Sequence, residues 1–249
     1  MKTIVFGDIH GRPIWKDIVS QHRDADRFVF LGDYFTSREG ISEEDQITNF
    51  GEIVFFADME NENRPGRVIL LRGNHDMEAL GYDWANCCPW FLNDHYRNDE
   101  NRQWFLDHTQ WVFVDGDIVY SHAGVTMTWM ERNGLTDVND INSLEPSRKF
   151  GFTPCKMSDR HGESKTQPPT WVRPWTLFDD SFGKYTYIVG HTTTLFVKDI
   201  KKEVLESEWG QEMYEQFKDK NQVWSCDCLG DGRYIVVEDG VITPCEFIK

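Results

Sequence analysis

The sequence predicts an α/β protein with two sheets and outer helices, and three observations carry that expectation. Short β-branched and apolar runs recur along the chain and stop at glycine, which reads as buried strands. Segments with apolar residues at helical spacing follow two of them. Asp115-Gly116 and Asp239-Gly240 sit between apolar runs, a strong hairpin signal.

Lys2 to Phe6 is the first such strand and ends at Gly7-Asp8-Ile9-His10-Gly11. From Pro13 to His22, Ile14, Ile18 and Val19 fall at helical spacing behind a proline suited to a first turn. Arg27 to Leu31 then runs into Gly32-Asp33-Tyr34 and a polar, glycine-bearing loop. Ser42-Glu43-Glu44-Asp45 reads as a capping box with Asp in the usual Glu position, ahead of a stripe of Ile47, Phe50, Val54 and Ala57. A third strand, Arg67 to Leu71, ends at Arg72-Gly73-Asn74-His75-Asp76. Ile118 to Ser121 ends at His122-Ala123-Gly124, and Tyr185 to Val189 ends at Gly190-His191-Thr192. Trp111 to Val114, Val223 to Ser225, Tyr234 to Glu238 and Val241 to Phe247 complete the strands, and their hairpins point to a second sheet packed on the first. The segment from about 134 to 181 is the least regular, and a loop of that length is expected to be functional, here as a lid or rim. The whole chain, 1–249, is expected to be one domain.

Five strands thus deliver polar residues from their carboxyl ends, where open α/β sheets place their sites. Asp8, Asp33, His10, His122, His191 and the Asn74 amide oxygen are candidate ligands for a pair of metal ions. One histidine after one strand is ordinarily structural. Five glycine-flanked events in order reverse that reading.

These motifs make the chain resemble the calcineurin-like metallophosphoesterases, above all the branch of phosphoprotein serine/threonine phosphatases and symmetrical diadenosine tetraphosphatases. The resemblance runs from residue 7 to about 192, with a weaker echo at Cys226-Asp227-Cys228-Leu229-Gly230. It implies a four-layer αββα sandwich. It assigns Asp8, His10 and Asp33 to one metal, and Asp33, Asn74, His122 and His191 to the other. A bridging carboxylate with mixed oxygen and imidazole ligands suits Mn first, with Fe, Zn or Ni as alternatives. Many relatives carry Gly-His-x-His. Here Gly190-His191-Thr192-Thr193 lacks the second histidine, so the first metal should hold more water. Two ions roughly 3.5 to 4 Å apart would acidify a shared water for in-line attack on phosphorus.

By the same resemblance His75 is the general acid. In the phosphoprotein phosphatases the second motif continues with an Asp that supports this histidine and an Arg that binds phosphate. Arg38 matches that Arg if one residue is inserted, with an exposed loop residue as the alternative. The supporting Asp has no counterpart in Thr36 to Glu39, and Asp76, Glu39 or Ser37 are candidates to replace it. Arg173, in Pro168-Pro169-Thr170-Trp171-Val172-Arg173-Pro174-Trp175, is a second phosphate candidate because a guanidinium fork suits phosphate oxygens. A surface ion pair is its alternative. Trp171 and Trp175 could stack on a nucleobase or pack in the core, and Trp84 and Trp90 invite the same two readings.

Formal net charge is -16, with 42 Asp and Glu against 26 Lys and Arg. Such a surface repels polynucleotide backbones, so no DNA or RNA partner is expected, while bound cations would still admit a compact phosphate. The six cysteines, at 87, 88, 155, 226, 228 and 245, match no common disulfide or zinc framework and read as thiols of a reducing cytoplasm. No apolar run approaches about 18 residues, and no signal peptide precedes the first strand, so a soluble cytoplasmic protein without membrane partners is expected. The expectation is a dinuclear phosphoesterase acting on a small phosphomonoester or nucleotide-type substrate. The alternatives are a phosphoserine or phosphothreonine protein substrate, or a phosphate-binding protein without catalysis. Oligomeric state is left open.

Overall fold

The computed structural model describes residues 1–37, 39–82, 94–147, 151–152 and 164–248. Arg38, Trp84, Cys87, Cys88, Trp90 and Cys155 lie outside the described residues. In chain order the first elements are β1 (Lys2–Phe6), α1 (Trp15–Gln21), β2 (Arg27–Phe30), α2 (Glu43–Asn63), β3 (Val68–Leu70), α3 (Asn74–Ala79) and α4 (Asp99–His108). There follow β4 (Val112–Asp115), β5 (Ile118–Ser121), α5 (Met127–Arg132), a 3-10 turn (Val138–Ser143), α6 (Pro174–Asp180) and β6 (Thr186–Thr193). The last are β7 (Lys198–Asp199), α7 (Ile200–Glu206), α8 (Glu208–Glu212), α9 (Tyr214–Phe217), β8 (Val223–Asp227), β9 (Arg233–Glu238) and β10 (Val241–Glu246).

Two compact units result, one of Met1–Gln110 with Cys228–Lys249 and one of Trp111–Asp227. The first holds a sheet in the order β10-β9-β1-β2-β3, with β1, β2 and β3 parallel and β9 and β10 antiparallel. Ile4, Val5 and Phe6 on β1 and Val29 and Phe30 on β2 are fully buried, as continuous apolar strands covered on both faces require. Helix α2 starts where the cap was expected, since the Ser42 side chain accepts from Asp45 N. Its buried face is Phe50, Ile53, Val54 and Ala57, with Ile53 rather than Ile47 completing the stripe. Two buried polar residues on that face have partners. Trp15 Nε1 donates to Asn49 Oδ1 at 3.0 Å, and Ser37 N donates to Gln46 Oε1 at 3.1 Å, which ties the loop after β2 to the helix.

The second unit holds a sheet in the order β4-β5-β6-β8-β7, with β5, β6 and β8 parallel. The five strands expected to bear ligands are therefore divided between two sheets. The β9–β10 hairpin, expected in the second sheet, belongs to the first, because β9 pairs with β1 at Val5↔Ile235 and its neighbours. Its Asp239-Gly240 turn has positive φ at both residues, as a two-residue primed turn demands. Strand β6 runs past Val189 to Thr193 because pairing with β8 resumes at Thr193↔Asp227 after an irregularity. Within 134–181 the described residues include regular structure, the 3-10 turn and α6, the latter opened by Pro174 at its first turn. No helix among the described residues is long and apolar enough to cross a membrane.

Candidate metal centre

In the first unit the backbone ladder of β1 and β2 continues beyond the strands into their loops. Ile9 N donates to Gly32 O, His10 N to Asp33 O at 2.7 Å and Gly11 N to Tyr34 O at 2.9 Å. Asp8 and His10 are thereby held beside Asp33. Donor atoms of Asp8, His10 and Asp33 all lie within 4.8 Å of one another, and both carboxylates are buried. His10 Nε2 stands 3.9 Å from Asp8 Oδ2 and 4.0 Å from Asp33 Oδ2. Its Nδ1 lies 2.7 Å from the Phe35 carbonyl oxygen, which accepts from a protonated Nδ1 and makes Nε2 the nitrogen available to a metal. A metal-ligating histidine is ordinarily oriented by such a bond. Two buried carboxylates and an imidazole in its coordinating tautomer are a donor set that fits a transition metal.

His10 and Asp33 have φ of 46° and 51°, left-handed values that non-glycine residues seldom adopt. Each costs on the order of 1 to 2 kcal/mol. The surrounding hydrogen bonds hold them there. Gly73 lets a third loop approach: a Cβ on it would stand 2.0 Å from Asp33 Oδ1 and 2.6 Å from Asp33 N. Asn74 and His75 follow at the start of α3, both buried. His75 N donates to Asp33 Oδ1 at 2.9 Å, and His75 Nε2 lies 3.9 Å from Asp33 Oδ2. The His10 and His75 rings meet edge to face, 5.2 Å between centroids.

Asp76 is fully buried and joins these loops. Its Oδ2 accepts from Asp33 N at 2.9 Å and Gly73 N at 2.7 Å, and its Oδ1 from Tyr34 N at 2.7 Å. Burial pushes its carboxyl up to about 7, against the lowering effect of those N–H groups. Glu39 accepts from Arg12 Nε and Nη2 at 2.9 and 2.8 Å, and the guanidinium holds its carboxyl below the usual range. Arg12 Nη1 also donates to the Asp8 carbonyl at 3.1 Å. Ser37 Oγ accepts from Glu39 N at 3.1 Å. The three residues expected to compensate for the missing carboxylate thus brace the loops.

In the second unit His122 follows β5 and is fully buried, and its carbonyl accepts from Gly190 N at 2.8 Å. Three residues of β6, Gly190 to Thr192, face one residue of β8 where the pairing slips. That bulge puts His191 at φ 62° with its ring 5.1 Å from that of His122. Trp171 lies 5.2 Å from the His191 ring. Arg173 is half-buried at the start of α6, and its Nη1 donates to Thr192 Oγ1 at 3.1 Å and to the His191 carbonyl at 3.4 Å. Trp175 is exposed. Asp227 of the weak echo accepts from Thr193 Oγ1 at 2.9 Å, pinning the end of the bulge.

Sequence reasoning did not find Arg12 as a brace or the Phe35 carbonyl as the orienter of His10. Arg12 had one signal, its place directly after the Gly11 of the first motif. A backbone oxygen has none.

Parallel strands thus deliver a buried Asp/His donor set from glycine-bounded loops, a set able to hold a metal ion. A family model described as calcineurin-like phosphoesterase matches residues 1–223. The chain belongs to that family, hydrolases acting on phosphate esters. No curated protein sequence matches it. A cold-active protein-tyrosine phosphatase from a psychrophilic Shewanella species is similar with a TM-score of 0.61 and 17% identity, over 98% of this chain and 77% of that one. A protein serine/threonine phosphatase from Saccharomyces cerevisiae has a TM-score of 0.52 and 14% identity, over 100% of this chain and 81% of that one. At these identities the likeness is one of fold.

Proposed function

We propose that the chain is a two-metal phosphoesterase whose substrate is a small phosphomonoester or nucleotide-type phosphate ester. The observation that carries this reading is the close Asp8, His10 and Asp33 donor set around an imidazole fixed in one tautomer. When bound, two divalent ions supply Lewis acidity toward phosphoryl oxygens and lower the pKa of water. Asp8 and Asp33 bring the charge that holds such ions, and His10 brings a neutral nitrogen. By the family's motif order, Asn74 of the first unit and His122 and His191 of the second are the remaining candidate ligands.

His75 gives its proton to the leaving oxygen, and its position is held through its own N–H on Asp33. Arg173, and Arg38 by motif order, offer guanidinium forks to the phosphoryl oxygens. The net charge of -16 favours a compact substrate over an acidic phosphoprotein, which would be repelled at long range. The two similar structures are protein phosphatases by name, so a phosphopeptide is the arm that competes.

Metal-stripped protein reloaded with Mn, Fe, Zn, Ni or Mg should be given aryl phosphate mono- and diesters, diadenosine tetraphosphate and a phosphopeptide. Activity should return with a transition metal and be greatest on the small esters. Turnover without metal would remove the proposal, and a preference for the phosphopeptide would replace its substrate. His75→Asn should slow esters of poor leaving groups most, since a good leaving group needs little protonation. Equal slowing across leaving groups would remove His75 as the acid.

A further inference from the structure

The first unit carries a cavity away from the candidate metal ligands. The exposed ends of α1 and α2, with Phe28 of β2 and Arg67 just before β3, enclose a cavity of about 340 Å³. Pockets for small molecules start at roughly this size. The candidate metal ligands leave the carboxyl ends of β1, β2 and β3. Phe28 and Arg67 lie toward the opposite, amino ends of β2 and β3.

Its charge opposes that of the chain. Lys16, Arg23, Arg64 and Arg67 line the cavity against one carboxylate, Glu60, in a protein of net charge -16. Arg67 is the anchored part. It is 5% exposed, its Nη1 lies 2.5 Å from Glu60 Oε2, and its Nη2 donates to the Arg23 carbonyl at 3.0 Å. Its guanidinium stands over the Phe28 ring at 5.7 Å, and its Nε is buried with no hydrogen-bond partner among the described residues. Glu60 is thereby engaged. Arg64 reaches it only at 3.8 Å from a well-exposed position, and the Arg23 guanidinium makes no ion pair among the described residues. Phe56 supplies an apolar wall, backed by the buried Phe28 ring edge to face at 5.5 Å.

A buried arginine held by Glu60 and the Arg23 carbonyl, two under-used guanidinium groups and an adjoining aromatic wall are a receptor for a phosphate on an apolar body. We propose that this cavity is a second anion site, separate from the candidate metal centre, that takes a small phosphorylated molecule. Arg23 and Arg64 hold the phosphate, Arg67 backs them, and Phe56 faces the remainder. The volume admits one mononucleotide-sized ligand.

The test is calorimetry on the metal-free full chain, where the metal centre has no cations with which to hold phosphate, using inorganic phosphate, pyrophosphate and adenosine monophosphate as probes. One saturable site per chain is expected, with adenosine monophosphate the tightest. Arg23→Gln with Arg64→Gln should weaken it about tenfold or more, the loss of one to two charge-assisted hydrogen bonds. Ser20→Glu, which puts a carboxylate on the lining from a surface helix position, should do the same while the fold persists. Equal affinity for inorganic phosphate would still support the anion site, with free phosphate as its source. Absence of saturable binding, or binding that both variants leave unchanged, would overturn the proposal. Phosphoesterase activity enters neither arm, so failure of the catalytic reading would be seen separately.

Discussion

In the first unit the candidate ligands ride on two loops and the first turn of a short helix, each following one of three neighbouring parallel strands, whereas in the second His122 and His191 ride directly on strand ends, one of them bulged. The loops of the first unit are joined by backbone bonds beyond the sheet and by the buried Asp76 carboxylate, which accepts from Gly73, Asp33 and Tyr34. In the second unit Gly190 N donates to His122 O, Ala123 N to Pro169 O and the Arg173 guanidinium to the His191 carbonyl, beside a slip in strand pairing. Loop-borne ligands need long-range fastening, while strand-borne ligands inherit the sheet's rigidity. Disturbance of the fastening should therefore cost function in the first unit more than equivalent disturbance in the second.

The largest effect is expected from Asp33→Asn, which removes a charge 4.0 Å from His10 Nε2 and 3.9 Å from His75 Nε2. Turnover of an aryl phosphate should fall by about 10³-fold, the equivalent of roughly 4 kcal/mol of lost charge stabilisation. A near-wild-type rate would break the assignment. Next comes a matched pair of glycines. In Gly73→Ala the new Cβ would meet the Asp33 carboxylate and backbone, at 2.0 and 2.6 Å. Activity should drop about a hundredfold, and stability by about 3 kcal/mol. In Gly124→Ala the Cβ would meet Leu177 Cδ2 at 2.2 Å, the end of a flexible side chain, at a φ of 117°. This should cost stability by about 2 kcal/mol yet spare most activity per folded molecule. Equal activity losses in the two variants, measured beside their melting curves, would erase the contrast.

A smaller effect concerns pH. The Asp76 carboxyl is raised by burial from 3.8 to about 7, so its contribution to metal-free stability is fully present below about 3.8 and lost as pH rises through about 7. Denaturant titrations of metal-free protein should show that decline in the wild type and not in Asp76→Asn. The variant should also be less stable at low pH by about 1 to 3 kcal/mol, because an amide oxygen cannot serve all three N–H donors. Parallel profiles would contradict the fastening role. The smallest effect is expected from Arg12→Ala, which frees Glu39 and one bond to the Asp8 carbonyl, partly exposed interactions worth about 1 kcal/mol or less. A several-fold loss of metal affinity with little change in melting temperature would fit a brace.

Much of this arrangement was legible in the sequence because its signals are local. Glycine after an apolar run marked the loops bearing Asp8, Asp33 and Asn74, and Ser42 marked the start of α2 through its cap. What was hidden depends on distant partners. The hairpin at Asp239-Gly240 announces itself, but its pairing with β1 does not, so it was expected in the other sheet. No letter marks the Phe35 carbonyl that selects the His10 tautomer, nor the approach of Gly73 to Asp33. Asp76 was visible only as a titratable neighbour of His75. Its work on three backbone N–H groups belongs to the fold. The bulge at Gly190 to Thr192 looked like a strand end because its pairing with β8 resumes only at Thr193.

The proposed function stands on a metal site formed by Asp8, His10 and Asp33 through the Nε2 of His10. It is tested most directly by calorimetric titration of Mn into metal-stripped wild type and His10→Ala. The account predicts two ions per wild-type chain, and in the variant one of them weakened by about 10- to 100-fold or more. Two ions bound with unchanged affinity in His10→Ala would contradict it.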